Sequence, residues 1–319
     1  MMEHVRLPGS DLTVSRVALG GCPLGGYGWG HVDDDEAIAA VRRADELGIN
    51  FFDTADVYGF GHSEELLSQA LGDRRRQIVI ASKFGVRRTH DGRIVKDISP
   101  AYLREALEAS LRRLRLDCLS LYYIHWPDGC TSVEDAVAEL ARCRAAGKIQ
   151  AIGVSNFNSE QLRQASSVAC VSAIQVQCSL VDRAAAGEVR ETAAQLGVPL
   201  ITWGSLAQGM LTGKYGRDVS FGPDDRRSRY DNFQGAKLTE NLAAVQRLKA
   251  LAERLHKRPS QVALRWLLDT PQVGCVLFGA KRPGQVEENT GAIGWRLSPE
   301  DYRLLEQSEP VKERAHVAA

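Results

Sequence analysis

The chain has 319 residues, 44% hydrophobic and 25% charged, and its 40 basic and 40 acidic side chains leave a formal net charge of +0. That length and make-up allow a large buried core, and a neutral chain offers no electrostatic reason to bind nucleic acid or an anionic membrane surface. No apolar run approaches the roughly 18 residues of a spanning helix.

The opening MMEHVRLPGSD lacks the apolar core of a secretory signal. Seven cysteines without a CxxC pair read as free thiols of a reducing cytoplasm. Next, VRLPGSDLTVS alternates about a Pro-Gly and predicts a hairpin able to plug the amino end of a barrel. Strands are predicted over Arg16–Leu19, Asn50–Asp53, Ile78–Lys83, Cys118–His125, Ala151–Val154, Ala173–Gln177, Pro199–Thr202 and Gly274–Phe278. Between and after them lie amphipathic stretches at Asp34–Leu47, Ser63–Leu71, Pro100–Leu114, Ser132–Ala146, Ser159–Ser166, Gly187–Leu196, Leu238–Leu255 and Pro283–Gly291. Ile38, Val41, Ala44 and Leu47, for example, recur at near-helical spacing with Arg42, Arg43 and Glu46 between them. Ser99 before Pro100 marks a helix start, and Ser132 and Ser159 are expected as further N-caps.

Eight strands each followed by a helix indicate a (β/α)8 barrel of the TIM type rather than an open sheet, with an N-terminal β-hairpin and extra C-terminal helices. RPSQVALRWLLDT (258–270) is such an extra helix, with Trp266 on its core face. Residues 1–319 read as one domain. The stretch from Thr212 to Thr239 is long and polar, either a mobile loop or a lid; within it the Arg-rich DDRRSRYDNF (224–233) either closes over a bound cofactor or, as is expected here, is a solvated loop. Cys118, Cys170, Cys178 and Cys275 are expected to pack as small core hydrophobes.

Three strands end abruptly at ionisable groups: INFFDTADVYG (49–59), IVIASKFG (78–85) and LSLYYIHWPD (119–128) deliver Asp53, Tyr58, Lys83 and His125. Chemistry in α/β folds sits just past the carboxyl ends of strands. Taken singly, these are a capping carboxylate, a loop aromatic, a snorkelling lysine and a structural histidine. Taken together they form a proton-transfer device. A free tyrosine titrates near 10, and a nearby ammonium lowers that value. Asp53 pairs with Lys83, and His125 hydrogen-bonds a substrate oxygen, so the phenol is placed to protonate a carbonyl oxygen. A phenol donor implies no covalent intermediate, and a reduced nicotinamide supplies the hydride naturally.

No GxGxxG lies between a strand and a helix; the glycine-rich LGGCPLGGYGWG (19–30) reads as a substrate-side loop. By contrast, FGAKRPG places a Gly-Ala turn, Lys281 and Arg282 ahead of a helix, which suits a phosphate. The seven histidines are scattered without an HxH or HExxH, so a bound metal is not expected.

These motifs resemble the aldo-keto reductases over nearly the whole chain. The resemblance implies a tetrad on a (β/α)8 barrel that binds NADP(H): Tyr58 donates the proton, Lys83 lowers its pKa, Asp53 holds Lys83, and His125 orients the carbonyl. It further implies that Ser155 and Asn156 of GVSNF, with Gln175, hold the nicotinamide carboxamide, and that Trp203, where tyrosine is commoner, stacks on its ring. Gly204, Ser205, Leu206, Gln208, Gly209 and Lys214 of GSLAQGMLTGKY (204–215) fall along the pyrophosphate. In FGAKRPGQVEEN (278–289), Gly279, Lys281 and Arg282 fall at the 2′-phosphate end, with Gln285, Glu288 and Asn289 about the adenine and ribose. Tyr27, Trp29 and Trp126 flank the pocket, either framing an apolar or sugar-ring substrate or packing as ordinary loop aromatics. Gly204-Ser205 lacks the family's usual proline, and Cys22-Pro23 departs from its pattern, so substrate identity does not carry over. The expected activity is reversible, NADPH-dependent reduction of a small-molecule aldehyde or ketone. Its rivals are a cofactor-binding regulatory subunit of the same fold and a lyase or isomerase using Lys83 as a Schiff-base nucleophile.

Overall fold

The structure is a computed structural model and describes residues 1–306. In chain order the elements are β1 (His4–Arg6), β2 (Thr13–Ser15), β3 (Val17–Gly20), α1 (Asp34–Glu46), β4 (Phe51–Asp53), α2 (His62–Leu71), β5 (Val79–Phe84), β6 (Val86–Arg88), β7 (Ile94–Lys96) and α3 (Pro100–Leu114). There follow β8 (Leu119–Ile124), α4 (Val133–Ala145), β9 (Ile149–Ser155), α5 (Ser159–Val168), β10 (Val171–Gln177), α6 (Ala184–Gln195) and β11 (Leu200–Trp203). The chain continues through α7 (Gly235–Arg254), α8 (Pro259–Asp269), β12 (Val273–Gly279), α9 (Pro283–Thr290) and α10 (Pro299–Glu306).

Strands β3, β4, β5, β8, β9, β10, β11 and β12 pair in parallel in that order, and β12 closes the barrel on β3 with Phe278 beside Leu19. The strands are short and apolar because both their faces are buried. One face meets the helices, as with Phe52, Ile80, Tyr122 and Ile152. The other fills the interior, where Ala18, Phe51, Ala81, Leu121, Tyr123, Ala151, Ala173, Ile201 and Cys275 pack together. Leu7, Leu12 and Val14 of the β1–β2 hairpin belong to that interior cluster, so the hairpin plugs the amino end as expected. Packing there is tight: a Cβ on Gly153 would sit 2.2 Å from the Tyr123 ring.

The helix starts follow local chemistry. Ser99 accepts from the Tyr102 amide at 3.3 Å with Pro100 in the first position, and Ser132 accepts from the Asp135 amide at 3.1 Å. The third expected cap is corrected. Asn158, not Ser159, caps α5, accepting from the Gln161 amide while the Gln161 side chain accepts from the Asn158 amide. Ser159 is already the first helical residue, and its hydroxyl donates to the Glu188 carbonyl.

The segment expected to be a solvated loop is also corrected. Asp225 and Phe233 are buried, and Tyr215, Phe221 and Phe233 meet edge-to-face with centroids 4.9 to 5.6 Å apart. Asp225 forms an antiparallel bridge with Trp29, and the Arg226 amide donates to the Gly28 carbonyl at 3.0 Å. Three aromatics scattered through a polar stretch carry no periodicity, and only folding brings them together. Of the cysteines expected in the core, Cys178 and Cys275 are buried, Cys118 is half-buried and Cys170 is exposed. Cys170 lies between α5 and β10 and so has no inward strand position to fill. The β6–β7 hairpin went unread although His90-Asp91-Gly92 carries the Asp-Gly signal of a tight turn. Among the described residues no helix is long and apolar enough to cross a membrane.

Candidate active site

Strand pleating places the site. Side chains two apart on a strand share a face. Phe51 and Ala81 and Tyr123 point into the barrel, so Asp53, Lys83 and His125 are the next inward positions towards the carboxyl ends. The same step leads from Gly153 to Ser155, from Ala173 to Gln175 and from Ile201 to Trp203. The candidate residues thus form the last inward layer of the barrel, and all of them but Lys83, which lies beneath, line a cleft of about 840 Å³.

Lys83 lies at the bottom of that layer with 1% of its surface exposed. Its Nζ donates to Asp53 Oδ1 at 2.5 Å, to the Thr54 carbonyl at 2.8 Å and to Tyr58 Oη at 3.4 Å. An ammonium has three donors and no acceptor, so all three are spent. The second oxygen of Asp53 accepts from Gln175 Nε2 at 2.5 Å. Burial raises the Asp53 carboxyl above its ordinary value, opposed by the ammonium and the amide. Breaking such a buried pair by removing one partner typically costs about 3–5 kcal/mol.

Tyr58 comes in on the turn after β4. Gly59 and Phe60 both take left-handed backbone, at φ 61° and 54°, and a Cβ on Gly59 would lie 2.3 Å from the Gly25 carbonyl oxygen. Because Lys83 donates to the phenol oxygen, the phenol proton has to point elsewhere, and the cleft is where Tyr58 is open. Burial pushes the phenol well above its ordinary value, and Asp53 adds to the shift. Burial thus sets the direction of the net shift, which is upward. Tyr58 stands protonated.

The His125 ring meets that of Tyr58 edge-on, centroids 5.7 Å apart. Burial, reinforced by Lys83, lowers its pKa well below the ordinary value, so the imidazole is neutral and carries one N–H. Its buried Nδ1 has no hydrogen-bond partner among the described residues. Asn156, at φ 60°, donates to the His125 carbonyl at 2.9 Å and accepts from Trp203 Nε1 at 3.2 Å, which braces both aromatic walls.

The remaining expected residues line the cleft, with one exception. Tyr27, Trp29 and Trp126 are part of the wall, with Trp126 edge-on to Trp203. Ser155, Asn156, Gln175 and Trp203 follow; then Gly204, Ser205, Leu206, Gln208, Gly209 and Lys214; then Gly279, Lys281, Gln285, Glu288 and Asn289. The Ser205 hydroxyl is turned away and donates to the Thr202 carbonyl at 3.1 Å. Arg282 is the exception: it caps α9 from an exposed position outside the lining. Sequence reasoning missed Phe60, Val86, Ile94, Arg226, Arg227 and Tyr230, which also line the cleft. Val86 and Ile94 belong to the β6–β7 hairpin, and the others sit on loops or short turns whose approach no local pattern signals.

The sequence from residue 16 to residue 310 matches the model of the aldo/keto reductase family. This chain belongs to that family. It is 35% identical to the Bacillus subtilis aldo-keto reductase YhdN over 97% of this chain and 96% of that one. It is 31% identical to an NADH-specific methylglyoxal reductase of Escherichia coli, covering 98% and 100% of the two chains. The solved structure of a glycerol dehydrogenase from Gluconobacter oxydans superposes with a TM-score of 0.89 at 36% identity, covering 98% and 99%.

Aldo-keto reductases use nicotinamide cofactors, and the far half of this cleft fits one. Lys214, Arg227 and Lys281 line it. Burial lowers the Lys281 amine, and the like charges of Arg227, Lys214 and Arg282 lower it further. Cations crowded in this way are relieved by an anionic ligand. The Lys281 Nζ meanwhile donates to the Trp29 carbonyl at 2.5 Å, tying the two ends of the cleft together.

Asp56 was also missed, two residues ahead of Tyr58 in the same motif. Its Oδ2 accepts from the Tyr102 hydroxyl at 3.0 Å, while its Oδ1 is buried without a partner among the described residues. Burial, with help from Glu64, pushes this carboxyl up to about 8. An acid whose folded value lies above its unfolded value of about 4 loses folding stability as pH rises between the two. Asp56→Asn is therefore expected to match the wild type near pH 4 and to become progressively more stable than it up to about pH 8, as read by urea unfolding at a series of pH values. Parallel stability curves for the two proteins would contradict this.

Proposed function

We propose that this chain is an NADP(H)-dependent carbonyl reductase that interconverts an aldehyde or ketone and its alcohol, with Tyr58 as the proton donor. The observation that carries the reading is the Lys83 tripod, whose third contact is the phenol oxygen at 3.4 Å. A bound reduced nicotinamide supplies hydride to the carbonyl carbon. The chain's own residues handle the other half of the reaction. Tyr58, protonated and with its proton directed into the cleft, donates to the carbonyl oxygen as negative charge builds there. Lys83 then faces a forming phenolate and stabilises it, while Asp53 and Thr54 keep the amine from moving. The neutral imidazole of His125 offers its N–H to the same substrate oxygen and sets its direction. Trp126 and Trp203 wall the site and exclude water from the developing charge.

For the cofactor, Ser155, Asn156 and Gln175 are assigned to the carboxamide and Trp203 to the ring face. The turn from Gly204 to Lys214 is assigned to the pyrophosphate. Ala207, Gln208 and Gly209 take left-handed backbone there, at φ 47°, 54° and 97°, in a tight turn whose Ala207 and Gly209 amides donate to the Gly204 and Leu206 carbonyls. Gln285, Glu288 and Asn289 are assigned to the adenine and ribose. Lys281 and exposed Arg282 at the α9 amino terminus favour a 2′-phosphate, hence NADP(H), even though one relative is named for NADH. A reducing compartment such as the cytoplasm agrees with seven cysteines that are all free.

Two outcomes follow. Tyr58→Phe should lose about 10²- to 10⁴-fold in turnover of an aldehyde panel while its NADPH affinity, read by fluorescence quenching, stays near that of the wild type. Undiminished turnover would remove the phenol from the reaction. Replacing both Lys281 and Arg282 with alanine should raise the Kd for NADPH by about tenfold or more and leave that for NADH nearly unchanged. Equal losses would show that these cations do not distinguish the 2′-phosphate.

A further inference from the structure

Arg226 and Arg227 are neighbours with different surroundings. Arg227 is firmly paired: it binds Asp225 through two nitrogens and donates from Nη1 to the Tyr215 hydroxyl at 2.7 Å. It is also the strongest of the cations acting on Lys281. Arg227 thus serves the phosphate end of the cleft. Arg226 turns the other way. Its chain lies across Gly28, where a Cβ would meet Arg226 Cδ at 3.1 Å, and its guanidinium covers the Trp29 ring at 4.6 Å.

A guanidinium has five N–H donors and no acceptor. The side chain of Arg226 has one hydrogen-bond acceptor among the described residues, the Cys22 thiol, 2.8 Å from Nη2. Its Nε is buried without a partner, and no carboxylate pairs with it among the described residues. A thiol is a weak acceptor. The charge of Arg226 also bears on the Tyr58 phenol, drawing it down against the pull of burial. Arg226 therefore lines the catalytic end of the cleft as a partly buried cation whose donors are largely unspent and which is held in place by Trp29 and Gly28.

We propose that Arg226 is a specificity-determining residue that receives a carboxylate carried by the carbonyl substrate, making short oxo acids a preferred substrate class. This rests on the reductase reading of the Tyr58 site. The carbonyl oxygen lies at Tyr58 and His125, and the carboxylate forks onto the free edge of the guanidinium, in the planar two-point contact for which arginine is suited. Trp29 and Cys22 fix the guanidinium beforehand, so little side-chain freedom is lost on binding. Among the described residues nothing acidic lines this end apart from Asp53, which Lys83 and Gln175 already occupy.

The test compares aldehydes in matched pairs, acetaldehyde with glyoxylate and butanal with succinic semialdehyde, on the wild type, Arg226→Met and Arg226→Lys, with NADPH affinity measured in parallel. In at least one pair the wild type should prefer the acid. In Arg226→Met the acid-to-neutral ratio of kcat/KM should fall about tenfold to a hundredfold, chiefly through KM, as expected for one charge-assisted contact. Arg226→Lys should retain part of the preference, and NADPH affinity should hold in both variants. Three results overturn the proposal: no preference in the wild type, an unchanged ratio in Arg226→Met, or a loss of NADPH affinity that assigns the guanidinium to the cofactor. A wild type that turns over neither series overturns the reductase reading itself, and this proposal with it.

Discussion

A lysine amine sealed inside a barrel persists only if something meets each of its protons, and in this chain that condition organises the whole site. Lys83 finds Asp53 on the neighbouring strand, the carbonyl of Thr54 just beyond it, and the phenol of Tyr58 on the turn that follows. Parallel pairing of β4 with β5, in a register that sets Asp53 against Ala81, brings the carboxylate alongside the amine two residues further on. A slip of one residue would reverse every side chain and put the lysine among the helices. The pair is therefore a constraint on register as well as the centre of the proposed site. Taking two charges out of water is costly, and removing the carboxylate alone would leave the ammonium stranded.

From that pair outwards the cleft changes character. Around Tyr58 and His125 it is desolvated, and the titratable groups there are held in their neutral forms, the phenol protonated and the imidazole uncharged. Further along, Lys214, Arg227 and Lys281 make it cationic. The phenol and imidazole suit a carbonyl that gains charge during reaction, Arg226 gives that end a charge of its own, and the far end suits an anionic ligand. The two loops that join these ends, around Trp29 and around Asp225, grip each other by a backbone bridge and by arginine stacked on indole. This clamp makes a segment with loop composition part of the wall.

Much of this was legible in the chain alone. Eight apolar strands, the plug hairpin, and the acid, phenol, amine and imidazole at one end all follow from local pattern, because a two-residue period and an abrupt polar stop are local signals. The family motifs extended that to the cofactor side. What stayed hidden depends on contacts distant in sequence. Arg226 reads as one basic residue of a polar run, and only its approach to Gly28 and Cys22 gives it a place. Asp56 reads as part of the Tyr58 motif, and only the closure of α3 over it, with Tyr102, isolates its carboxyl. The direction in which the Tyr58 phenol is shifted is hidden for a related reason. The charge of its neighbour is visible in the sequence, whereas the depth of its desolvation is a property of the folded cleft.

The most direct test of the buried amine is turnover in Lys83→Met, a substitution that keeps the length of the side chain and removes its charge. The account predicts a loss of about 10²-fold or more in kcat with native circular dichroism and retained NADPH affinity, because the phenol then loses the cation that donates to its oxygen and stabilises the charge it acquires. Turnover close to that of the wild type in a folded, cofactor-binding Lys83→Met protein would contradict it.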